Sequence, residues 1–274
     1  VSISSYPRLT KRQDPIVTRF REAAARQQSG ADLVLLEGTH VVLEAMRAGI
    51  HVDILLATLP HLDAGTPERQ ELWSLAQAAT VPVFEASDAV MDAASPVRTP
   101  SGVVALARWQ PAPMSAIWNP PPALAVALVD VQDPGNAGAV VRGADGLDAT
   151  GVVMTGSTAD PGSWKALRGA MGSTFRLPVA RGSAHDAIDQ ARAHGVAVLA
   201  AVSSRTRGAE EIRTVDLTTP VLLLLGNEGA GLPAAVQAAA DRLVCIAMRP
   251  GLDSFNVSVT AGLLLYEARR QRTR

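Results

Sequence analysis

Three short segments in the second half of the chain constrain its fold most. They are Asn136-Ala-Gly-Ala-Val-Val-Arg142, Leu225-Gly-Asn-Glu-Gly-Ala-Gly-Leu232 and Ser254-Phe-Asn-Val-Ser258. Each places small or polar residues where an apolar strand pattern stops and a helix pattern starts. The first follows Ala123–Val129, the second follows Val221–Leu225, and the third opens an apolar helix pattern that runs to Arg270. At such junctions backbone N–H groups point outward, which is why open α/β folds bind ligands there. Three junctions far apart in sequence predict one composite site.

A chain of 274 residues is long enough for one large or two ordinary domains. Its formal charge of −1 means that any nucleic-acid surface must be local. Lysine occurs only at Lys11 and Lys165, so the positive charge is arginine, the better bidentate phosphate ligand. Cys245 is the only cysteine, so no intrachain disulfide can form, and its apolar surroundings predict an inert core thiol. His40, His51, His61, His185 and His194 all lie outside the three segments, and no Cys/His cluster has zinc spacing. No metal is expected. The start, Val1 to Arg8, has no signal-like apolar region, and the longest apolar runs fall short of a membrane span. A soluble, cytoplasmic protein is expected.

The proline-dense stretch from Trp109 to Pro122 breaks regular structure and marks a boundary. It separates a front domain, 1–108, from a second domain, 123–274, with 109–122 as linker. The front pattern predicts helix Pro15–Gln28, strand Leu33–Leu36, helix Val41–Ala48 and strand Ile54–Ala57. Helix Pro67–Ala78, strand Val81–Phe84 and a last strand Gly102–Arg108 follow. This alternation predicts a small α/β domain with a largely parallel sheet. The second domain reads as strand Leu124–Val129, helix Ala137–Leu147, strand Gly151–Thr155 and helix Lys165–Met171. Phe175–Val179, His185–His194, Val196–Val202, Val221–Leu225, Pro233–Ala239, Leu243–Ile246 and Val257–Gln271 continue the alternation.

Read singly, each segment has an ordinary structural explanation. The Gly226–Gly231 turn does not fit G-x-G-x-x-G, and its glycines suit a turn that needs φ > 0. Glu228 beside exposed N–H groups is a dipole partner, or it binds an arginine or a ligand hydroxyl. Ser254 and Asn256 suit helix N-caps. Arg142 reads as a surface residue or salt-bridge partner six residues after Asn136, within roughly 10 Å on a related face.

Taken together, the segments resemble a known family. Asp133-Pro-Gly-Asn-Ala-Gly-Ala-Val-Val-Arg142 is similar to the first motif of the SpoU/TrmH-type (SPOUT class) RNA ribose 2′-O-methyltransferases. Leu224-Leu-Gly-Asn-Glu-Gly-Ala-Gly-Leu232 is similar to the second, and the stretch from Ile246 to Gly262 to the third. Lys165-Ala-Leu-Arg168 and Gly172-Ser-Thr-Phe-Arg-Leu-Pro178 resemble the segment between the first two motifs. Glu37-Gly38 and Glu44-Ala45 fit the ribosomal-protein-like substrate-binding domain that many members carry.

The resemblance implies a C-terminal trefoil-knotted α/β methyltransferase domain and a smaller N-terminal α/β RNA-binding domain. It implies S-adenosyl-L-methionine as cofactor, held by Leu224, Gly226, Asn227, Gly231, Ile246, Ala247, Met248 and Phe255. It implies Asn136, Arg142, Glu228, Ser254 and Asn256 as the polar residues of the reaction centre. It also implies a homodimer with sites built from both chains, and a structured RNA substrate, rRNA ahead of tRNA. Two positions depart from the family pattern: Ala247 replaces a common proline, and Phe255 a common leucine.

Methyl transfer to a ribose hydroxyl requires the hydroxyl to shed a proton, and no histidine lies in the motifs. The family's arginine is often assigned as base, yet neutralising an arginine at pH 7 costs roughly 8 kcal/mol. Arg142 is therefore read as a charged grip on phosphate or ribose, with Ser254, Asn136 and Asn256 aligning the hydroxyl and the proton leaving late to water or phosphate. Arg8, Lys11, Arg12, Arg19 and Arg21, with Arg26, are candidate RNA contacts, as are Arg269, Arg270, Arg272 and Arg274. A resistance methyltransferase is a variant of this reading. The alternative from another class is an inactive knotted RNA-binding or ribosome-assembly protein, and a nucleotide-dependent oxidoreductase lacks its fingerprint.

Overall fold

The computed structural model describes residues 6–25, 32–63, 65–249, 252 and 254–273. Two compact units emerge: Val1–Gln110 with Gly162–Phe175, and Pro111–Pro161 with Arg176–Arg274. In chain order the elements begin β1 (Arg8–Leu9), α1 (Pro15–Ala25), β2 (Leu33–Glu37), α2 (Thr39–Arg47), β3 (Val52–Ala57) and α3 (Leu59–Leu62). There follow α4 (Pro67–Ala78), β4 (Val83–Ala86), α5 (Asp88–Ala94), β5 (Val103–Arg108), β6 (Leu124–Val129), α6 (Pro134–Gly146), β7 (Gly151–Thr155) and α7 (Trp164–Ala170). The chain ends with β8 (Val179–Gly182), α8 (Ala184–Ala193), β9 (Ala197–Ala201), β10 (Glu210–Glu211), β11 (Val221–Leu225), α9 (Ala234–Ala238), β12 (Arg242–Cys245) and α10 (Val257–Arg272).

The first unit is built on a sheet of order β1-β4-β3-β5-β2. β1, β4 and β3 run parallel, but β5 is antiparallel to both β3 and β2. The sheet is thus mixed rather than largely parallel. An apolar strand pattern carries no direction, which is set by the connection that precedes the strand. Phe20 and Val17 of α1 fill the core with Leu35, Ile54, Leu56, Met91 and Leu106. The predicted helix end at Gln28, like Arg26, lies outside the described residues.

α7 belongs to this first unit although the chain enters it between β7 and β8. Trp164 packs on the core around Phe20. Arg168 reaches to 3.9 Å from Glu37, whose buried carboxylate also accepts the Ser101 N–H at 2.9 Å.

The second unit has one sheet, order β10-β12-β9-β11-β6-β7-β8, with every pairing parallel. The runs LAVALV (β6) and VLLLL (β11) are buried along their whole length, as strands covered on both faces must be. Strand order reverses at the β6/β11 pair, which is where an open α/β sheet leaves a crevice at its carboxyl ends. The proline-dense stretch is more ordered than its composition predicts. A 3₁₀ helix, Met114–Trp118, buries Ile117 and Trp118 in this unit's core. The strand expected over Phe175–Val179 begins only at Val179, after a 3₁₀ turn at Ser173–Phe175 and the donor-less Pro178.

The C-terminal arginines hold the fold. Arg272 donates to the carbonyls of Pro122, Ala123, Leu217 and Thr219 at 2.7–3.0 Å. Arg269 pairs with Asp148 at 2.8 Å, and Arg270 with Glu267 at 2.6 Å. All three of these arginines, expected as phosphate contacts, have partners within the fold, and Arg274 lies outside the described residues.

Candidate functional site

The three predicted junctions meet at the carboxyl edge of the second unit's sheet. After β6, Asp130 takes φ 58°, a left-handed position uncommon outside glycine. Its carbonyl accepts the Asn227 side-chain amide at 3.0 Å, and its carboxylate accepts the Ser157 N–H at 2.8 Å and hydroxyl at 2.9 Å. Asp133 then caps α6 by accepting the Asn136 N–H at 2.7 Å, with Pro134 in the first turn.

After β11 the chain makes a closed loop. Gly231 N–H donates to the Asn227 carbonyl at 2.8 Å, and Asn227 Oδ1 accepts the N–H groups of Gly229 and Ala230 at 2.8 and 3.1 Å. Gly226 lies against the loop's far side, where an added Cβ would meet the Gly231 carbonyl carbon at 2.3 Å. Only glycine permits that approach, and Gly231 itself sits at φ 69°.

Asn256 caps α10, its Oδ1 accepting the Ser258 N–H at 2.9 Å. Its Nδ2 donates to Asn136 Oδ1 at 3.0 Å, and Asn136 Nδ2 donates to Glu228 Oε1 at 2.5 Å. One hydrogen-bond chain thereby joins residues from all three segments. It borders a cavity of about 420 Å³, within the size range of small-molecule sites, roughly 300–1,000 Å³.

Gly226, Asn227, Glu228, Gly231, Ile246, Met248, Ser254 and Phe255 line this cavity. Leu224 does not: it lies on β11 with its side chain buried in the core. Ala247 is exposed and off the lining, and Asn136 and Asn256 stand behind Glu228. Pro250, Gly251 and Asp253 lie outside the described residues. The sequence reading missed Ser203, Arg205 and Thr206, which follow β9 and also line the cavity. It also missed Asp130. Burial, then the negative charge of Glu211, pushes the Cys245 thiol up, so this lining group stays neutral.

Arg142 is exposed on α6 and makes no hydrogen bond or ion pair among the described residues. It does not line its own chain's cavity. Six residues turn a helix by about 600°, which leaves Arg142 about 120° from Asn136 rather than on a related face.

The basic cluster of the first unit divides. Arg8 pairs with Glu85 at 3.0 Å, and Arg19 and Arg108 share Asp53 at 3.4 and 2.8 Å. Lys11, Arg12 and Arg21 have no ion pair among the described residues. Arg12, Gln13 and Arg21 line one cleft with Asp92 and Ala93. Arg19 and Arg21, two apart on α1, project about 160° apart, so one sequence cluster becomes two surfaces.

Among the described residues no group of His, Cys, Asp or Glu is arranged to hold a metal, and no helix is long and apolar enough to cross a membrane.

Fold and site define an α/β protein with a glycine-walled ligand cavity at its strand ends and a polar network beside it. The chain belongs to the SpoU rRNA methylase family, whose model matches residues 123–266. A model of the MRM3-like substrate-binding domain matches residues 17–105. An uncharacterized tRNA/rRNA methyltransferase of Synechocystis is 31% identical, covering 96% of this chain and 94% of its own. The 23S rRNA (guanosine(2553)-2′-O)-methyltransferase RlmP of Bacillus subtilis is 29% identical, covering 89% of this chain and 91% of its own. The AdoMet-bound rRNA methyltransferase of Sinorhizobium meliloti superposes with a TM-score of 0.82 at 30% identity, covering 97% of this chain and 98% of its own. AviRb of Streptomyces viridochromogenes, in complex with AdoMet, gives a TM-score of 0.81 at 26% identity, covering 95% of this chain and 99% of its own.

Proposed function

We propose that this protein transfers a methyl group from S-adenosyl-L-methionine to a ribose 2′-hydroxyl of rRNA. The observation that carries the reading is the Glu228–Asn136–Asn256 hydrogen-bond chain at the rim of the cavity. The cavity's features suit the cofactor. Gly226 lets the loop close on its own backbone, and with Gly229 and Gly231 it leaves the cavity wall free of side chains there, so that a ligand can lie against backbone. When bound, the cofactor supplies an electrophilic methyl group on its sulfonium. Gly226, Asn227, Gly231, Ile246, Met248 and Phe255 hold it, with Leu224 and Ala247 limited to backbone contact. Ser254, Asn136 and Asn256 orient the ribose, and Arg142 stays charged and grips phosphate. In this reading the segments after β11 and β12 tie a trefoil knot. An rRNA substrate puts the protein in the cytoplasm. Calorimetry with S-adenosylmethionine and its demethylated product tests the cofactor: one site per chain, unchanged by EDTA, is expected, and no heat with either ligand refutes the reading.

The active form in this reading is a homodimer. Val259, Leu263 and Tyr266 are 47%, 42% and 61% exposed and follow helical spacing along α10, while Val257, Thr260 and Leu264 line the cavity. Pairing on that stripe would stand directly against the cofactor site, and Arg142, turned away from its own cavity, would serve the partner's. Light scattering on the full chain should give twice the chain mass. Leu263→Glu with Tyr266→Glu should give monomers that transfer no methyl group, and active monomers would contradict the assembly.

The first unit supplies RNA contacts, and its unpaired arginines are the ones that make them. Arg12→Ala with Arg21→Ala should weaken RNA binding and flatten its log K–log salt slope by about 1–2, because each phosphate contact releases counterions. Arg8→Ala, whose arginine is held by Glu85, should leave the slope unchanged. Equal effects from both variants would contradict the division. Truncation at the boundary is a poor substitute, since it strips α7 of the core on which Trp164 packs.

A further inference from the structure

We infer that the Glu228 carboxylate accepts the proton that the ribose 2′-hydroxyl loses during transfer, an inference that rests on the ribose methylation proposed above. Among the described residues lining the cavity, Glu228 is the only carboxylate, Arg205 the only cation, and no histidine is present. The Cys245 thiol is pushed up by burial and remains protonated. Asparagine and serine side chains are poor bases, and a guanidinium has no lone pair to offer. Glu228 is also held as a base must be. Asn136 Nδ2 donates to its Oε1 at 2.5 Å, and Asn256 fixes Asn136 from the other side at 3.0 Å. This is the oriented-base arrangement, with a third group setting the second. Among the described residues nothing bonds Oε2, which is left for an incoming hydroxyl.

The step balances. A lone pair of the ribose oxygen forms the oxygen–methyl bond as the methyl–sulfur bond breaks, and that bond's electron pair stays on sulfur. The oxygen becomes cationic as the bond forms, so its proton is then far more acidic than a carboxylic acid. A carboxylate held at the oxygen takes the proton while the oxygen–methyl bond is forming, before a full oxonium develops, and this lowers the barrier. The proton passes from the ribose oxygen to Glu228 Oε2 and later to water. A sulfonium and a carboxylate become a neutral thioether and a neutral acid, and no further reactant is needed. Arg142 takes no part in the proton transfer.

The test uses the full-length protein and three readouts: single-turnover transfer of tritiated methyl to rRNA, calorimetric affinity for S-adenosylhomocysteine, and RNA affinity. Glu228→Gln keeps an oxygen for Asn136 but removes the base. Transfer should fall by about 10²–10⁴-fold, with both affinities within about threefold of wild type. Glu228→Ala should regain transfer as sodium formate is added, and formamide should not restore it. Transfer by Glu228→Gln within about threefold of wild type overturns the inference. A loss of transfer matched by an equal loss of either affinity overturns it too, since that reports binding rather than proton transfer. Wild-type protein run alongside separates the two claims: if it binds cofactor but labels no RNA, the proposed function fails and takes this role with it.

Discussion

Arg142→Ala should lower methyl transfer by about 10²–10³-fold while cofactor affinity stays within about threefold, the pattern expected for loss of one charged donor at the reacting centre. The cavity proposed for the cofactor is lined by the segments after β9, β11 and β12, and Arg142 does not line it in its own chain. Arg142→Lys should also be poor, because a point charge does not reproduce a planar fork. Calorimetry and single-turnover transfer on the same preparations check both parts. A sharper form of the experiment mixes subunits. If Arg142 serves the partner's site, a heterodimer of an Arg142→Ala chain and a cofactor-blind chain contains one intact site. With cofactor at a concentration that fills wild-type sites but not the weakened sites of the second chain, equal mixing of the two variants should restore about a quarter of wild-type activity, since half the dimers are mixed and each has one working site of two. No restoration would mean that Arg142 acts within its own chain.

The cofactor-blind chain is Gly226→Ala. Its methyl group would lie 2.3 Å from the Gly231 carbonyl carbon and 2.5 Å from the Leu232 nitrogen. Both are backbone atoms of a loop already pinned by Asn227, so they cannot swing aside as a flexible side chain would. Overpacking of this kind costs about 1–3 kcal/mol, or roughly tenfold to a hundredfold in affinity if the loop shifts to absorb it. The strain falls on a partly exposed loop rather than the core, so the variant should fold with unchanged far-ultraviolet circular dichroism. Cofactor affinity equal to wild type would show that the loop can open without cost and that its closed form does not shape the site.

What could be read from the sequence follows from how local the signal is. β6, β7 and β11 have their expected bounds because each is an unbroken apolar run between turn residues. The residues of the hydrogen-bond chain were legible because Asn136, Glu228 and Asn256 each sit where a strand hands over to a helix. Ser203, Arg205 and Thr206 were not, since they reach the cavity only because β9 pairs with β11, a long-range choice that β9's own residues do not encode. Asp130 reads as any acid near a proline until its left-handed backbone and its bond to Asn227 are seen. The antiparallel run of β5 and the docking of α7 on the first unit are likewise tertiary facts. The arginines show the same limit. Arg8, Arg19 and Arg272 differ from Arg12 and Arg21 not in sequence context but in the carboxylates and carbonyls that folding brings to them.

Methylation of an rRNA ribose 2′-hydroxyl by this chain, with the methyl group from S-adenosylmethionine, can be measured directly. The direct measurement is incubation of the purified protein with tritiated S-adenosylmethionine and total RNA from a strain lacking it, followed by nuclease digestion and mapping of the label. Label is expected in a single rRNA nucleotide, on the sugar, within a dinucleotide that resists alkaline cleavage because its 2′-oxygen is blocked. Label on a base, or in a dinucleotide that alkali cleaves, would contradict it.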